Sequence, residues 1–480
     1  MTNKVANATK WSVLAEVTAK IAAPIVNMIL ARLLAPEAYG VVASITIITS
    51  FADIFTDAGF QKYVIQKEYD DSIGELNDNS NVAFTANLSL SSIIYLLIFV
   101  FRKQLANAVG NPEAANGLAV AALAVLCTSF SSIVIARFRR DLEFKPLFCV
   151  RLGSSLVPLI VTVPLAFILR SYWALVIGTV SQQAFIAIAV CILSKYKPKI
   201  LVDFTIFKKM LSFSLWNLCE TLSIWFAGQA NIFIVARVLD SYYLGLYRTG
   251  MTTINSYMAL FTSAITPVLF SSLSRAQDNA KEYMDTFDKF QKMLALAVVP
   301  MGVGICLYRK LAVQILLGNS WLEVTDFMGL WALVSSLTIV FSNMASEVYR
   351  SKGKPQVSFY IQVAYLLVYV PAIYISAKAG FDTLSVVSCL IRLLPIVIDI
   401  VVLDRVFKVK FIDVVKNVGY TFFAVFCMSL VAIALNGPTG SVLRQIVTIL
   451  VCIVIYMLII VLNRNNRVVL MTFLERRKNR

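Results

Sequence analysis

The chain has 480 residues, of which 59% are hydrophobic and only 15% charged, well short of the roughly 25% charge of an ordinary soluble domain. It contains no histidine, which excludes Ser-His-Asp triads, imidazole general bases and any metal site that needs an imidazole ligand. The net charge of +16 does not require nucleic acid, because the basic residues gather in short segments between apolar runs, the pattern of a membrane protein with basic cytoplasmic connections.

The first ten residues, MTNKVANATK, are polar, and the run from Trp11 to Leu34 is too long for a signal-peptide core. It is expected to remain as the first span. Further apolar runs of about 20 residues, enough to cross a hydrocarbon core, follow near 38–58, 82–101, 117–136, 152–169, 171–193, 211–236 and 243–273. Others lie near 293–308, 327–347, 358–378, 384–403, 417–435 and 442–462. The expected fold is therefore an all-α integral membrane protein of about fourteen transmembrane helices. Segment 274–292 carries Tyr283, Met284, Phe287 and Phe290 at helical spacing, which predicts an amphipathic helix lying at the membrane interface. The eight cysteines are scattered without a C-x-x-C pair, as expected of small apolar packing residues.

Orientation follows from Lys and Arg in the connections. Segments 137–151 and 194–210 carry five each, 404–416 carries four and the tail from Asn463 carries six. The alternate connections carry fewer: Arg170 alone near 170, Lys378 alone near 380, and none in 436–441. Both termini are expected in the cytoplasm.

An internal repeat appears at an offset of 205. Trp11 falls on Trp216, Ala22 on Ala227, Ile29 on Ile234, Ala31-Arg32 on Ala236-Arg237, Leu34 on Leu239 and Gly40 on Gly245. Trp, Arg and Gly are matched less easily by chance than Ile, Leu and Ala. Six spans, an even number, separate the copies, so the repeat is parallel, about an axis along the membrane normal. Two six-helix lobes enclosing a cavity, 1–200 and 201–410, are expected, with two extra C-terminal helices and a basic tail over 411–480.

The stretch ARLLAPEAYGVVASITIITSFADIFTDAGFQKYVIQKE (31–68) resembles the first hairpin of bacterial polysaccharide flippases of the Wzx type, in the multidrug/oligosaccharidyl-lipid/polysaccharide exporter superfamily. RRDLEFK (139–145), the segment 236–279 and EVYRSKGKPQ (347–356) agree. The resemblance implies a multi-pass protein of the bacterial inner membrane whose cargo is a polyprenyl-diphosphate-linked oligosaccharide, carried from the cytoplasmic to the outer leaflet. It also implies neighbouring membrane lipid, polysaccharide polymerase and glycosyltransferases as partners. No cofactor is expected.

Ionisable residues at membrane depth are costly and by default mark a pathway. Lys20, Arg248 and Arg392 are candidates to pair with an anionic diphosphate, which cannot cross hydrocarbon unpaired. Glu16, Asp53, Asp57, Glu220 and Asn231 are candidates for a polar cavity or for ion coupling. Span twelve also holds Asp399. For Glu16 and Lys20, four residues apart, a self-neutralised pair buried between helices is the blander alternative. A cation-coupled multidrug exporter of the same superfamily is the second reading. A membrane polymerase or glycosyltransferase is the third; it would need an outward loop or a carboxylate constellation for acid/base work, and the outward connections are short.

Overall fold

The computed structural model describes residues 22–57, 59–67, 73–407, 411–435 and 438–463, with Trp11, Thr18 and Lys20; over 56–57, 73, 212–217, 219–220, 264, 355, 407 and 411–414 it describes the backbone only. Among these residues the regular structure is helical, as a chain in lipid must be to satisfy its own backbone groups. Among the described residues, twelve helices are long and apolar enough to cross a membrane, or thirteen if the pair Ser241–Ser263 and Ile265–Arg275, bent by 41°, is one span. The expected count was fourteen. Within the first run the helix Ala22–Leu33, labelled α1, falls among the described residues.

The chain forms two compact units, one ending at Arg248 and the other beginning at Thr249. After α1, the first contains α2 (Pro36–Asp57), α3 (Phe60–Gln66), α4 (Ile73–Val100), α5 (Arg102–Ala108), α6 (Ala115–Ala121) and α7 (Leu123–Arg140). Then come α8 (Phe144–Val157), α9 (Val163–Leu169), α10 (Trp173–Leu193), α11 (Phe204–Val238) and the start of α12 (Ser241–Arg275). The second unit continues α12 and adds α13 (Ala280–Leu307), α14 (Arg309–Leu316), α15 (Thr325–Thr338), α16 (Met344–Ser351) and α17 (Pro355–Lys378). It ends with α18 (Phe381–Ile391), α19 (Leu394–Phe407), α20 (Phe411–Ala434) and α21 (Val442–Leu462).

The second unit repeats the element order of the first. Helices α4 and α13 have 28 residues each, and each leads into a short helix, α5 of 7 and α14 of 8 residues. A glycine at positive φ follows each, Gly110 at 74° and Gly318 at 102°, then a 3-10 turn, Pro112–Ala114 or Asn319–Val324. The long helical segments after those turns end in the same way. Asp141, Leu142 and Glu143 donate their amides to the carbonyls of Arg137, Arg139 and Phe138; Lys352, Gly353 and Lys354 donate to Val348, Arg350 and Tyr349. Leu142 (φ 58°) and Gly353 (φ 69°) hold the same left-handed position, as this kind of helix stop requires.

Segment 274–292 departs from expectation. It does not form a separate interfacial helix but the first turns of α13. Asn279 caps the helix, accepting from the amides of Lys281 and Glu282 at 3.2 Å. Its stripe Tyr283, Phe287 and Gln291 is buried and continues into Leu294 and Val298 of the span. At about 1.5 Å per residue such a helix is longer than the hydrocarbon core is thick, so an amphipathic start and an apolar finish fit on one rod.

Helices α20 and α21 pack on α13 through Val425, Met428, Cys452 and Tyr456, with the Tyr456 hydroxyl donating to the Leu296 carbonyl at 2.8 Å. Their other faces carry exposed apolar side chains such as Leu443 (74%) and Leu430 (51%), an arrangement stable only against lipid.

Candidate functional site

In the first unit the site grows from the seam where α2 meets α11 and α12. A Cβ on Gly40 would lie 1.7 Å from the carbonyl oxygen of Ser241, and one on Gly245 would lie 1.9 Å from that of Pro36. Only glycine permits such approaches. At the offset of 205, Gly40 corresponds to Gly245 and Pro36 to Ser241, so the two contacts are one contact seen from both sides, as a two-fold axis demands. The Arg248 guanidinium donates to the carbonyl of Ala43 at 3.3 Å. Ala43 is its own counterpart in the repeat, which places Arg248 close to that local axis.

Buried Asn231 on α11 approaches the hydroxyl of Tyr247, the residue before Arg248, at 3.5 Å. Further along, the Trp225 indole donates to the Ser50 hydroxyl at 2.9 Å and its ring lies 5.0 Å from Phe51. Asp53 is exposed one turn beyond Ser50. Ten residues of helix, or about 15 Å, separate it from Ala43, which Arg248 contacts, so Asp53 is set apart from Arg248. Lys20 is partly exposed. Glu16 lies outside the described residues, as do the side chains of Asp57 and Glu220.

In the second unit Arg392 sits at the break between α18 and α19. Its guanidinium lies 4.0 Å over the Trp331 ring and donates to Ser335 at 3.1 Å; the Trp331 indole donates to Asn255 at 3.1 Å. Stacking on tryptophan stabilises a desolvated guanidinium by up to about 2 kcal/mol and fixes the plane of its donor fork. Seven residues on, buried Asp399 accepts from Ser342 and from the Tyr349 hydroxyl, the latter at 2.9 Å. Ser342 lies in a π-helical segment, Ile339–Asn343, where the regular backbone ladder is interrupted. Glu347 is buried beside Arg350 at 3.1 Å.

The sequence reading missed Trp331, Ser335, Ser342 and Tyr349. Their spacing of four, seven and seven puts them on one helical face, and Arg392 and Asp399, also seven apart, answer two rungs each. That polar stripe on an apolar helix was a usable signal. Among the described residues no group of His, Cys, Asp or Glu could hold a metal ion.

The many described helices that are long and apolar enough to cross a bilayer define a multi-pass membrane protein. The sequence pattern of the polysaccharide biosynthesis protein family matches residues 29–326, more than half of the chain, and the chain belongs to that family. It is 23% identical over 376 residues to an uncharacterized membrane protein in the cps region of Klebsiella pneumoniae, covering 78% of this chain and 76% of that one. It is 20% identical over 378 residues to the lipopolysaccharide biosynthesis protein WzxC of Escherichia coli (strain K12), covering 78% and 75%. Its fold is similar to that of the lipid II flippase MurJ in an inward closed conformation, with a TM-score of 0.73 at 14% identity, covering 95% of this chain and 98% of that one.

Proposed function

We propose that the chain flips a polyprenyl-diphosphate-linked oligosaccharide from the cytoplasmic to the outer leaflet of a bacterial inner membrane by alternating access. Its transport lobes are residues 1–200 and 201–410, the accessory helices and basic tail 411–480, and both termini are cytoplasmic. The observation that carries this reading is family membership joined to cations held at membrane depth, above all Arg392 stacked on Trp331. Lys20, Arg248 and Arg392 would offer charge-assisted hydrogen bonds to the diphosphate, and Asn231, Trp225 and Asn255 partners to sugar hydroxyls. Glu16, Asp53, Asp57 and Glu220 remain candidates for ion coupling.

The direction is electrostatically favourable. Two negative charges moving outward against an inside-negative potential release about 2.3 kcal/mol per charge per 100 mV, or roughly 4–5 kcal/mol together. The chain carries no catalytic role in this reading; polymerase and glycosyltransferases act before and after it. The test is glycan export in cells carrying Lys20→Ala, Arg248→Ala or Arg392→Ala at unchanged protein level. Each should lower export; normal export in all three would overturn the cationic-site reading.

A further inference from the structure

Between α10 and α11 the connection SKYKPKILVD (194–203) is non-helical, with extended backbone at its ends, Ser194 and Asp203. Successive side chains of an extended segment point to opposite faces, and exposure alternates accordingly: Lys195, Lys197 and Lys199 are exposed, Ser194 is buried and Tyr196 is half-buried. The inner face is fastened to α4. Asn81 accepts from the Tyr196 hydroxyl at 2.7 Å and from the Lys199 amide at 3.0 Å, and Thr85 accepts from the Leu201 amide at 2.9 Å. The Arg137 guanidinium covers the Tyr196 ring at 4.9 Å. Burial pushes the Tyr196 phenol above its ordinary range, with Arg137 opposing, so it remains a neutral donor at physiological pH.

At Lys199 and Ile200 the alternation changes phase, and three large apolar side chains then face outward. Ile200 is 77% exposed, Val202 66% and Phe204 79%. They follow in sequence the end of α10, where Ile188, Ile192 and Leu193 are also exposed. Lys208 and Lys209, exposed on the first turns of α11, add two more cations. The nearby acid, Asp203, is engaged as the α11 cap, accepting from the amides of Thr205 and Ile206 at 2.8 and 3.1 Å. The three lysines and Arg137 also line a cleft of about 820 Å³ with Asp78, Asp141 and Glu143. Four cations there meet three carboxylates, an excess of positive charge to which Lys208 and Lys209 outside the cleft add.

We propose that residues 194–209 form a lipid-docking strap that binds the anionic headgroups of the adjacent leaflet through its lysines, while Ile200, Val202 and Phe204 enter the acyl boundary. A row of lysines beside protruding apolar side chains satisfies the two requirements of interfacial binding, charge and buried apolar area. The occupant is lipid because the lysines stand beside three large exposed apolar side chains, which a soluble anion would leave in water. The strap joins the last helix of the first repeat to the first helix of the second, so docking anchors the connection between the repeats.

The test is a fluorophore of the nitrobenzoxadiazole type on Val202→Cys, in an otherwise cysteine-free chain reconstituted in nanodiscs of phosphatidylcholine alone or mixed with phosphatidylglycerol. Emission should shift to the blue, and aqueous iodide quenching should fall, only in the anionic bilayer. The triple variant K195Q/K197Q/K199Q should lose most of that difference, as should high salt. Equal emission in the two bilayers would overturn selectivity for anionic lipid, and water-like emission in both would overturn docking itself. Should the cysteine-free chain fail to fold, amide exchange of residues 195–209 in the unaltered protein reads the same contrast: slower exchange in the anionic bilayer supports the strap, and equal exchange overturns it.

Discussion

At the scale of single residues, two kinds of side chain decide what the molecule can do: those that must be absent and those that must be charged. Gly40 and Gly245 belong to the first kind, since a single methyl at either would overlap a backbone carbonyl that no rotamer change can move. Gly40→Ala should lower the thermal stability of the detergent-solubilised protein by about 3 kcal/mol, the upper range of overpacking costs. Gly304, with nothing within 4 Å of its Cβ position, is the control, and Gly304→Ala should leave stability unchanged or slightly raised. Equal effects at the two sites in a melting experiment would remove the steric argument. Arg392 belongs to the second kind. Arg392→Lys keeps the charge but loses the planar stack on Trp331, so glycan export should fall part of the way toward the Arg392→Ala level; full export by the lysine variant would show that charge alone suffices. Arg248 and Arg392 were legible as charges in greasy helices. Their partners were not, because a backbone carbonyl such as that of Ala43 carries no sequence signal and Trp331 reads as one more apolar residue.

At the scale of elements, the repeated turn after α7 and α16 gives a natural comparison. Leu142 occupies a left-handed conformation that costs an L-residue with a Cβ about 1–2 kcal/mol, whereas Gly353 occupies its counterpart without that cost. Leu142→Gly should therefore stabilise the protein by about 1 kcal/mol and Gly353→Leu should destabilise it, both read as shifts in thermal unfolding; shifts of the opposite sign would mean that Leu142 earns its place by packing. The turn itself was visible only as Gly-x-Pro in 353–355, since DLEF (141–144) has no glycine to announce a helix stop. The failure at 274–292 has a different cause. Period-3.6 patterning identifies a helix but not whether it ends before the next apolar run, and the capping Asn279 at its start was the missing clue.

At the scale of the whole molecule, helical membrane architecture followed from run length, and the parallel repeat from seven identities between Trp11 and Gly245. The described structure then supplied a repeated element order extending to the turn after α16. Helices keep their length and caps after their surface residues have diverged, which is why geometry remembers the duplication longer than sequence does. Span number was less legible, because a kinked helix such as Ser241–Arg275 reads as one long run or two short ones. Orientation can be tested directly. A cysteine at Ser171 should react with an impermeant reagent added outside the cell and one at Lys197 should not; the reverse pattern would invert the proposed topology.

The reciprocal packing of Gly40 on Ser241 and Gly245 on Pro36 also speaks to ancestry. A contact that maps onto itself under exchange of the two repeats is what a homodimer has at its symmetry axis, and fusion of two genes preserves it only if the patch was already self-complementary. Arg248, facing Ala43 in the sister position, is a place on that contact where the two copies now differ in charge.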